Sequence, residues 1–266
     1  MMQTKEVDTK NLSAAEIMVL LDPAALPRET LKAAFKEIVA LGLLRLEKVP
    51  ATGRFSAPTT RLHLGSGTTN HPLLLELLGH LRSAMRHGPE LHTVLARLQR
   101  EYGAAYERFK GRHVLPALVA AGLLEPQTRK VLLVFSSTAH RHTALGLRLK
   151  GQLEAEMAQA RQLTTQLSRQ IPDNPVQVST LIASLGAAVI LVPELWPHFG
   201  QFNELIRQQE GDGGTGFVYG GWSDTDDSRP DLETGGLDQS FSEMDSSFDS
   251  SDGGASDGGG DGGGGE

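Results

Sequence analysis

Two stretches of seven residues, IVALGLL at 38–44 and LVAAGLL at 118–124, follow the same pattern eighty positions apart. In each, an apolar run typical of a helix is followed by a glycine and then by Leu-Leu. Glycine is the preferred residue just past a helix, because it adopts the left-handed backbone conformation without steric cost. The repeated pattern predicts two modules of one design, each with a helix that ends at this glycine.

The residues around the first stretch predict two helices and a hairpin. Ser13 and Glu16 have the spacing of a capping box ahead of an apolar run, so a first helix begins there. Pro27 opens a second helix, since proline suits the first helical position. Apolar and polar residues then alternate over 44–49 and 61–64, which is typical of two paired strands. Two helices followed by a hairpin predict a winged-helix-like module.

The second module has the same kinds of signal. Pro72 and Pro89 each precede a run with apolar residues at helical spacing, and a third helix is predicted over residues 104–121. A short apolar strand at 131–135 and a long helix over 142–170 follow. The predicted fold is therefore mainly α, with two winged-helix-like modules and small β-hairpins.

The later part of the chain divides into an apolar end of the body and a polar tail. Residues 178–192 are apolar but shorter than the ~20 residues that a membrane span needs, so we predict a buried helix there. A terminal apolar helix is predicted around Trp196. Three regions result: a flexible N-terminus at 1–10, a helical body at 11–208 and a disordered tail at 209–266 that is acidic and rich in Gly, Asp and Ser.

Charge is distributed unevenly between the body and the tail. Residues 211–266 contain 17 Gly, 11 Asp and 3 Glu but a single basic residue, Arg229. This segment therefore carries a net charge of −13, and since the whole chain carries −7, the rest carries +6. The asymmetry suggests either a body that meets anionic surfaces, with a tail that repels them or folds back over the basic face, or a tail that only adds solubility.

The sequence lacks the signatures of the common catalytic sites. It has no phosphate-binding loop, no nucleophile elbow, no zinc-protease motif and no dinucleotide fingerprint. There is no cysteine, which fits a cytoplasmic location. His140 and His142 are the closest histidine pair, and two residues apart on a helix they would diverge by about 200°. We therefore predict a non-enzymatic protein without a cofactor or a metal site.

Basic residues cluster in the second module. If the helices of the second module pack together, these side chains share a face and bind phosphate groups of lipid or nucleic acid. The alternative interpretation is that they are ordinary solvated residues on helix surfaces. The candidate anion-binding residues of this cluster are Arg97, Arg100, Arg108, Lys110 and Arg112.

Four stretches of the chain resemble the Golgi phosphoprotein 3 family. They are IVALGLLRLE at 38–47, GTTNHPLL at 67–74, LVAAGLL at 118–124 and RKVLLVF at 129–135. The resemblance covers nearly the whole body and implies a mostly helical, non-enzymatic adaptor that binds phosphatidylinositol 4-phosphate and the tails of cargo proteins. A weaker likeness is to uncharacterised bacterial membrane proteins that have winged-helix-like halves and a glycine-rich end.

The resemblance also suggests which residues bind phosphate. Arg108 stands where the family has a phosphate-binding arginine. A second such arginine would fall at Gly111, between Lys110 and Arg112, and a third near Leu31, close to Arg28 and Lys32. The aromatic residue that the family carries before its second helix has no counterpart in this sequence.

These observations favour a peripheral adaptor that binds an anionic membrane surface or lipid headgroup and a protein partner. The alternative is a tandem winged-helix protein that binds nucleic acid. Arg28, Glu29 and Lys32 mix charge signs on the second helix, which would have to lie against DNA phosphates. The sequence accordingly favours lipid over nucleic acid as the anionic partner.

Overall fold

A computed structural model describes most of the body and one short piece of the tail. The described residues are 11–50, 59–131, 135–167, 185–198, 242 and 244–248. Over these residues the chain is mainly helical, with two antiparallel two-stranded sheets. The mainly helical fold with small hairpins is therefore confirmed. The predicted N-terminus at 1–10 lies outside the described residues.

The first two helices are α1 (Ala14–Leu21) and α2 (Pro27–Ala40). The predicted capping box is present, because the Ser13 hydroxyl accepts from the Glu16 amide at 3.2 Å while the Ser13 amide donates to the Glu16 carboxylate at 2.8 Å. Pro27 begins α2 as predicted. Helix α2 is buried at every residue from Thr30 to Ala40, so it is the central helix of the body.

Strands β1 (Leu44–Val49) and β2 (Thr59–Leu64) form the first hairpin, as the alternating pattern predicted. Helices α3 (Pro72–Met85) and α4 (Leu91–Tyr102) follow. The helix predicted after Pro89 is present, but it begins at Leu91, two residues later. The Pro89 carbonyl accepts the Leu62 amide at 2.8 Å, which ties the start of α4 to β2.

The predicted single helix over 104–121 has three parts. Helix α5 (Glu107–Phe109) continues into a π-helix (Lys110–Val114) and then into α6 (Leu115–Ala120). Tyr106, directly before α5, has a left-handed backbone with φ 58° and is completely buried. Such a conformation is uncommon for a bulky residue and persists where packing enforces it.

The second hairpin replaces the single strand predicted at 131–135. Strand β3 (Leu124–Val131) pairs with β4 (Phe135–His142), and helix α7 (Ala144–Leu167) follows. His140 and His142 therefore lie on a strand, where alternate residues share a face, and not on a helix.

The two repeated stretches adopt the same local structure. Gly42 and Gly122 have φ values of 66° and 70°. The amide of Leu43 donates to the Ile38 carbonyl at 3.0 Å, and that of Leu123 donates to the Leu118 carbonyl at 2.9 Å. This is the Schellman arrangement of a helix C-terminus. The sequence repeat therefore corresponds to a repeat of structure, in which a helix ends at a glycine and a hairpin begins.

The apolar stretch at 178–192 is described only from residue 185 onward. There it forms a 3₁₀-helix (Gly186–Leu191), followed by a second 3₁₀-helix (Pro193–His198), where α-helices were predicted. Leu185 and the residues from Gly186 to Ile190 are buried, so this part of the stretch lies in the core. No helix among the described residues is long and apolar enough to cross a bilayer.

A short segment of the tail packs against the body. Residues 244–248, hereafter the tail segment, are helical, and Met244 and Phe248 are completely buried. The disorder predicted for 209–266 does not extend to this segment, because its two apolar side chains enter the core. The other predicted tail residues, apart from Ser242, lie outside the described residues.

Candidate anion-binding surfaces

Arginines of α4, α5 and the π-helix form what we call the arginine surface, defined by Arg97, Arg100, Arg108 and Arg112. Arg108 and Arg112 are exposed and four residues apart, which places them on one side of the helix. The Arg108 guanidinium donates to the carbonyl oxygen of Glu101 at 3.4 Å, which brings it to the end of α4. Arg100, the residue before Glu101, is exposed. Arg97 is half-buried one turn earlier.

Lys110 does not belong to this surface, although the sequence placed it there. Only 8% of the residue is exposed, and its ammonium group donates to the carbonyl oxygens of Pro23 at 2.8 Å and Ala25 at 2.6 Å. Burial lowers the pKa of Lys110, and the Asp22 carboxylate opposes that effect. The side chain therefore holds the segment between α1 and α2 in place.

A cleft of about 610 Å³ lies beside Lys110, between the end of α1, the π-helix and β4. His140 and Arg141 line it from the strand. Burial, together with the charge of Lys110, lowers the pKa of His140. Arg141 is ion-paired with Glu125 at 2.6 Å. The cleft is thus lined by basic groups together with the carboxylates of Asp22 and Glu107, and two of its basic groups are already engaged within the protein.

Lys32 and Lys36 of α2 form a second basic site on the body, and it is already occupied by an acidic group of the chain. They lie one turn apart, are 7% and 8% exposed, and face the Asp245 carboxylate of the tail segment. One Asp245 oxygen is 2.8 Å from the Lys36 ammonium group and the other is 3.6 Å from that of Lys32. Glu29 adds a second carboxylate 3.3 Å from Lys32. A single tail carboxylate therefore bridges two buried ammonium groups, which need such partners because burying an unpaired charge is costly.

Aromatic residues surround this ion cluster. The Lys36 ammonium group lies 4.1 Å from the centre of the Trp196 ring, a cation–π distance. The Phe248 ring packs edge-on against Phe35 at 6.1 Å and tilted against Tyr106 at 5.8 Å. We call this surface the α2 groove, defined by Lys32, Phe35, Lys36, Tyr106 and Trp196. Arg28, the remaining predicted residue, is half-buried in the first turn of α2.

The tail segment leaves part of this region open. A cleft of about 700 Å³ extends from Asp245 between α1, α2 and the 3₁₀-helices. Its apolar lining includes Leu21, Leu26 and Met157. Leu26 is 65% exposed, which is unusual for a large apolar side chain beside a buried charge cluster.

The structure thus separates the predicted residues into two groups. Arg97, Arg100, Arg108 and Arg112 lie on α4 and the helix that follows, whereas Arg28 and Lys32 lie on α2. The sequence interpretation missed Lys36, Trp196 and Asp245. A signal for the tail segment was present, because Leu237, Phe241, Met244 and Phe248 recur at intervals of four, three and four residues, which is typical of an amphipathic helix.

A separate cluster of buried acids lies between α1, α2 and α3. The Glu37 carboxylate accepts the Ala14 amide at 2.7 Å, and Glu16 pairs with His71 at 3.0 Å. Burial raises the pKa of Glu37 to about 8. Burial alone would lower the pKa of His71, but the neighbouring Glu16 carboxylate reverses this and raises it. This cluster supports the packing of the N-terminal helices.

No protein-family model matches the sequence, and no curated protein matches it either. The resemblance to the Golgi phosphoprotein 3 family therefore stays a prediction. Among the described residues, no group of three or more His, Asp or Glu side chains has an arrangement that could hold a metal ion.

Proposed function

We propose that this protein is a non-enzymatic peripheral adaptor that binds anionic lipid headgroups through the arginine surface and a protein partner elsewhere. The observation that carries the proposal is the joint exposure of Arg100, Arg108 and Arg112 at the meeting point of two helices. In the described part of the chain, no carboxylate forms an ion pair with these three guanidinium groups. Guanidinium groups bind phosphate oxygens with two parallel hydrogen bonds, which suits a headgroup.

Two further arguments support this proposal. Arg108 is the residue that the resemblance to the Golgi phosphoprotein 3 family aligns with a phosphate-binding arginine. The π-helix beside it is a rare geometry that is frequent at functional sites. We also propose that the two repeated halves are winged-helix-like modules and that the remaining tail residues are disordered, because they contain too little apolar surface to fold.

The burial of α2 makes nucleic acid the less favoured anionic partner. A winged-helix protein inserts one exposed helix into the major groove, where its side chains read the bases. Helix α2 is buried from Thr30 to Ala40, so these residues cannot reach base edges. Binding to DNA phosphates by the arginine surface would then depend on charge alone.

Vesicle co-sedimentation with the full-length chain tests the proposal. We expect binding to vesicles that contain phosphatidylserine or phosphatidylinositol 4-phosphate, weakening as salt is raised. The double substitution Arg108→Glu/Arg112→Glu should abolish it.

The matched control is Arg82→Glu/Arg86→Glu, which reverses two exposed arginines, also four residues apart, at the end of α3. This control should retain most of the binding. Equal loss in both variants would reduce the effect to net charge, and binding to duplex DNA but not to vesicles would favour the nucleic-acid alternative.

A further inference from the structure

The tail segment contacts the body through one face. Met244 and Phe248, four residues apart, bury their side chains completely on that face. This is the arrangement by which amphipathic helices bind grooves on other proteins, with apolar anchors one turn apart.

The charges across this contact are complementary. Asp245 stands between the two apolar anchors and meets Lys32 and Lys36, whose ammonium groups are buried and oriented by Glu29 and Trp196. The α2 groove thus has an apolar pocket for an aromatic ring beside a fixed pair of positive charges. That combination selects an acidic helix and disfavours a basic one.

The chain connects this segment to the body through residues 199–241. A tethered segment competes at an effective concentration in the millimolar range, even if its intrinsic affinity is modest. The cleft of about 700 Å³ beside Asp245 offers additional apolar surface to a ligand. An acidic helix that also fills this cleft could therefore displace the tail segment.

We propose that the α2 groove is a docking site for an acidic amphipathic helix of a partner protein, and that the tail segment occupies it as a built-in competitor. The recognised pattern is that of Met244, Asp245 and Phe248. It consists of an apolar residue, a carboxylate at the next position, and an aromatic residue three positions after the carboxylate. The groove is distinct from the arginine surface, so this inference is independent of headgroup binding.

A labelled peptide of residues 237–251 is the probe, and its binding to the full-length chain is measured by fluorescence anisotropy. The wild-type chain should bind weakly because its own tail segment competes. The full-length variant Asp245→Lys/Phe248→Ala should bind at least about tenfold more tightly, since its tail no longer occupies the groove. The variant Asp261→Lys, which changes the charge of the tail outside the segment, should behave like wild type.

Changes in the peptide test the groove without altering the fold of the chain. The full-length Asp245→Lys/Phe248→Ala chain is hereafter called the unmasked variant. Peptides with Asp245→Asn or Phe248→Ala should each lose about tenfold or more in affinity for it. A peptide with Ser242→Ala, which alters an exposed position outside the two anchors and the carboxylate, should bind like the parent peptide. Adding Lys36→Glu to the unmasked variant should abolish binding of the parent peptide, because Asp245 of the peptide would then face a carboxylate.

Three results would overturn the inference. The first is equal binding of the parent peptide to wild-type and unmasked chains. The second is equal binding of the Asp245→Asn, Phe248→Ala and parent peptides. The third is a combined result, in which the peptide fails to bind the unmasked variant, that variant gains binding to vesicles, and Lys36→Glu removes the vesicle binding. The groove would then be a site for lipid headgroups.

Discussion

At the scale of single residues, burial decides which charged groups serve the fold and which remain available. Lys110 and Arg112 are two positions apart in sequence, yet Lys110 donates to carbonyls of the body while Arg112 is exposed. The sequence alone could not separate them, because the π-helix over Lys110–Val114 changes which residues face inward.

The raised pKa of Glu37 predicts how the stability of the protein depends on pH. Its pKa in the folded protein is about 8, above the ordinary value of 4.5, so the folded state binds its proton more tightly than the unfolded state. The stability that this group contributes is complete below pH 4.5 and is lost as pH rises through 8. The raised pKa of His71 acts in the same direction above its ordinary value of 6.5. Stability should therefore fall between about pH 5 and pH 9.

The substitution Glu37→Gln isolates this contribution. The Gln amide oxygen can still accept the Ala14 amide but carries no charge at any pH. Urea unfolding should show a variant that is more stable than wild type at about pH 9, roughly equal at about pH 5, and less dependent on pH. Parallel pH profiles for the two proteins would contradict a raised pKa at Glu37.

At the scale of elements, local signals predicted those parts of the fold that local chemistry determines. The capping box at Ser13, the prolines that open α2 and α3, and the two glycine C-caps were all recognisable in the sequence. The second hairpin was missed because β3 contains Pro126 and polar residues, so it lacks the alternating pattern. The stretch at 185–198 forms 3₁₀-helices. Its apolar run contains no regularly spaced polar residues, so the sequence could not indicate the type of helix.

A pair of glycine substitutions tests the role of the repeated C-cap. Gly122 has φ 70°, and the space into which a side chain would project is open, so Gly122→Ala suffers backbone strain alone. We expect a loss of about 1 kcal/mol in the free energy of unfolding. Gly79 lies inside α3, also facing open space, and Gly79→Ala should instead stabilise the protein by about 0.5–1 kcal/mol.

Denaturant unfolding of both variants measures the difference. Opposite signs at the two positions are the expected result, because only Gly122 requires the left-handed conformation. If Gly122→Ala were as stabilising as Gly79→Ala, the glycine would be replaceable and the repeated stretch would not depend on its C-cap.

At the scale of the whole molecule, charge asymmetry predicted that the tail could fold back over basic residues of the body. Among the described residues of the tail, Asp245 makes such a contact, with Lys32 and Lys36 of α2. Net charge predicts that the tail and the body attract each other, but it does not predict where they make contact. The contact site depends on where Met244 and Phe248 can bury their side chains. The α2 groove is thus occupied by a segment of the chain itself.

The central claim is that the tail segment docks in the α2 groove, and amide hydrogen exchange of the full-length chain tests it most directly. Docked helical amides exchange slowly, since they must open before they react with solvent. We predict protection within residues 244–248 in the wild-type chain and its loss in Phe248→Ala, while the amides of α1 and α4 remain protected. Exchange of residues 244–248 at the rate of an unstructured peptide in the wild-type chain would contradict the claim.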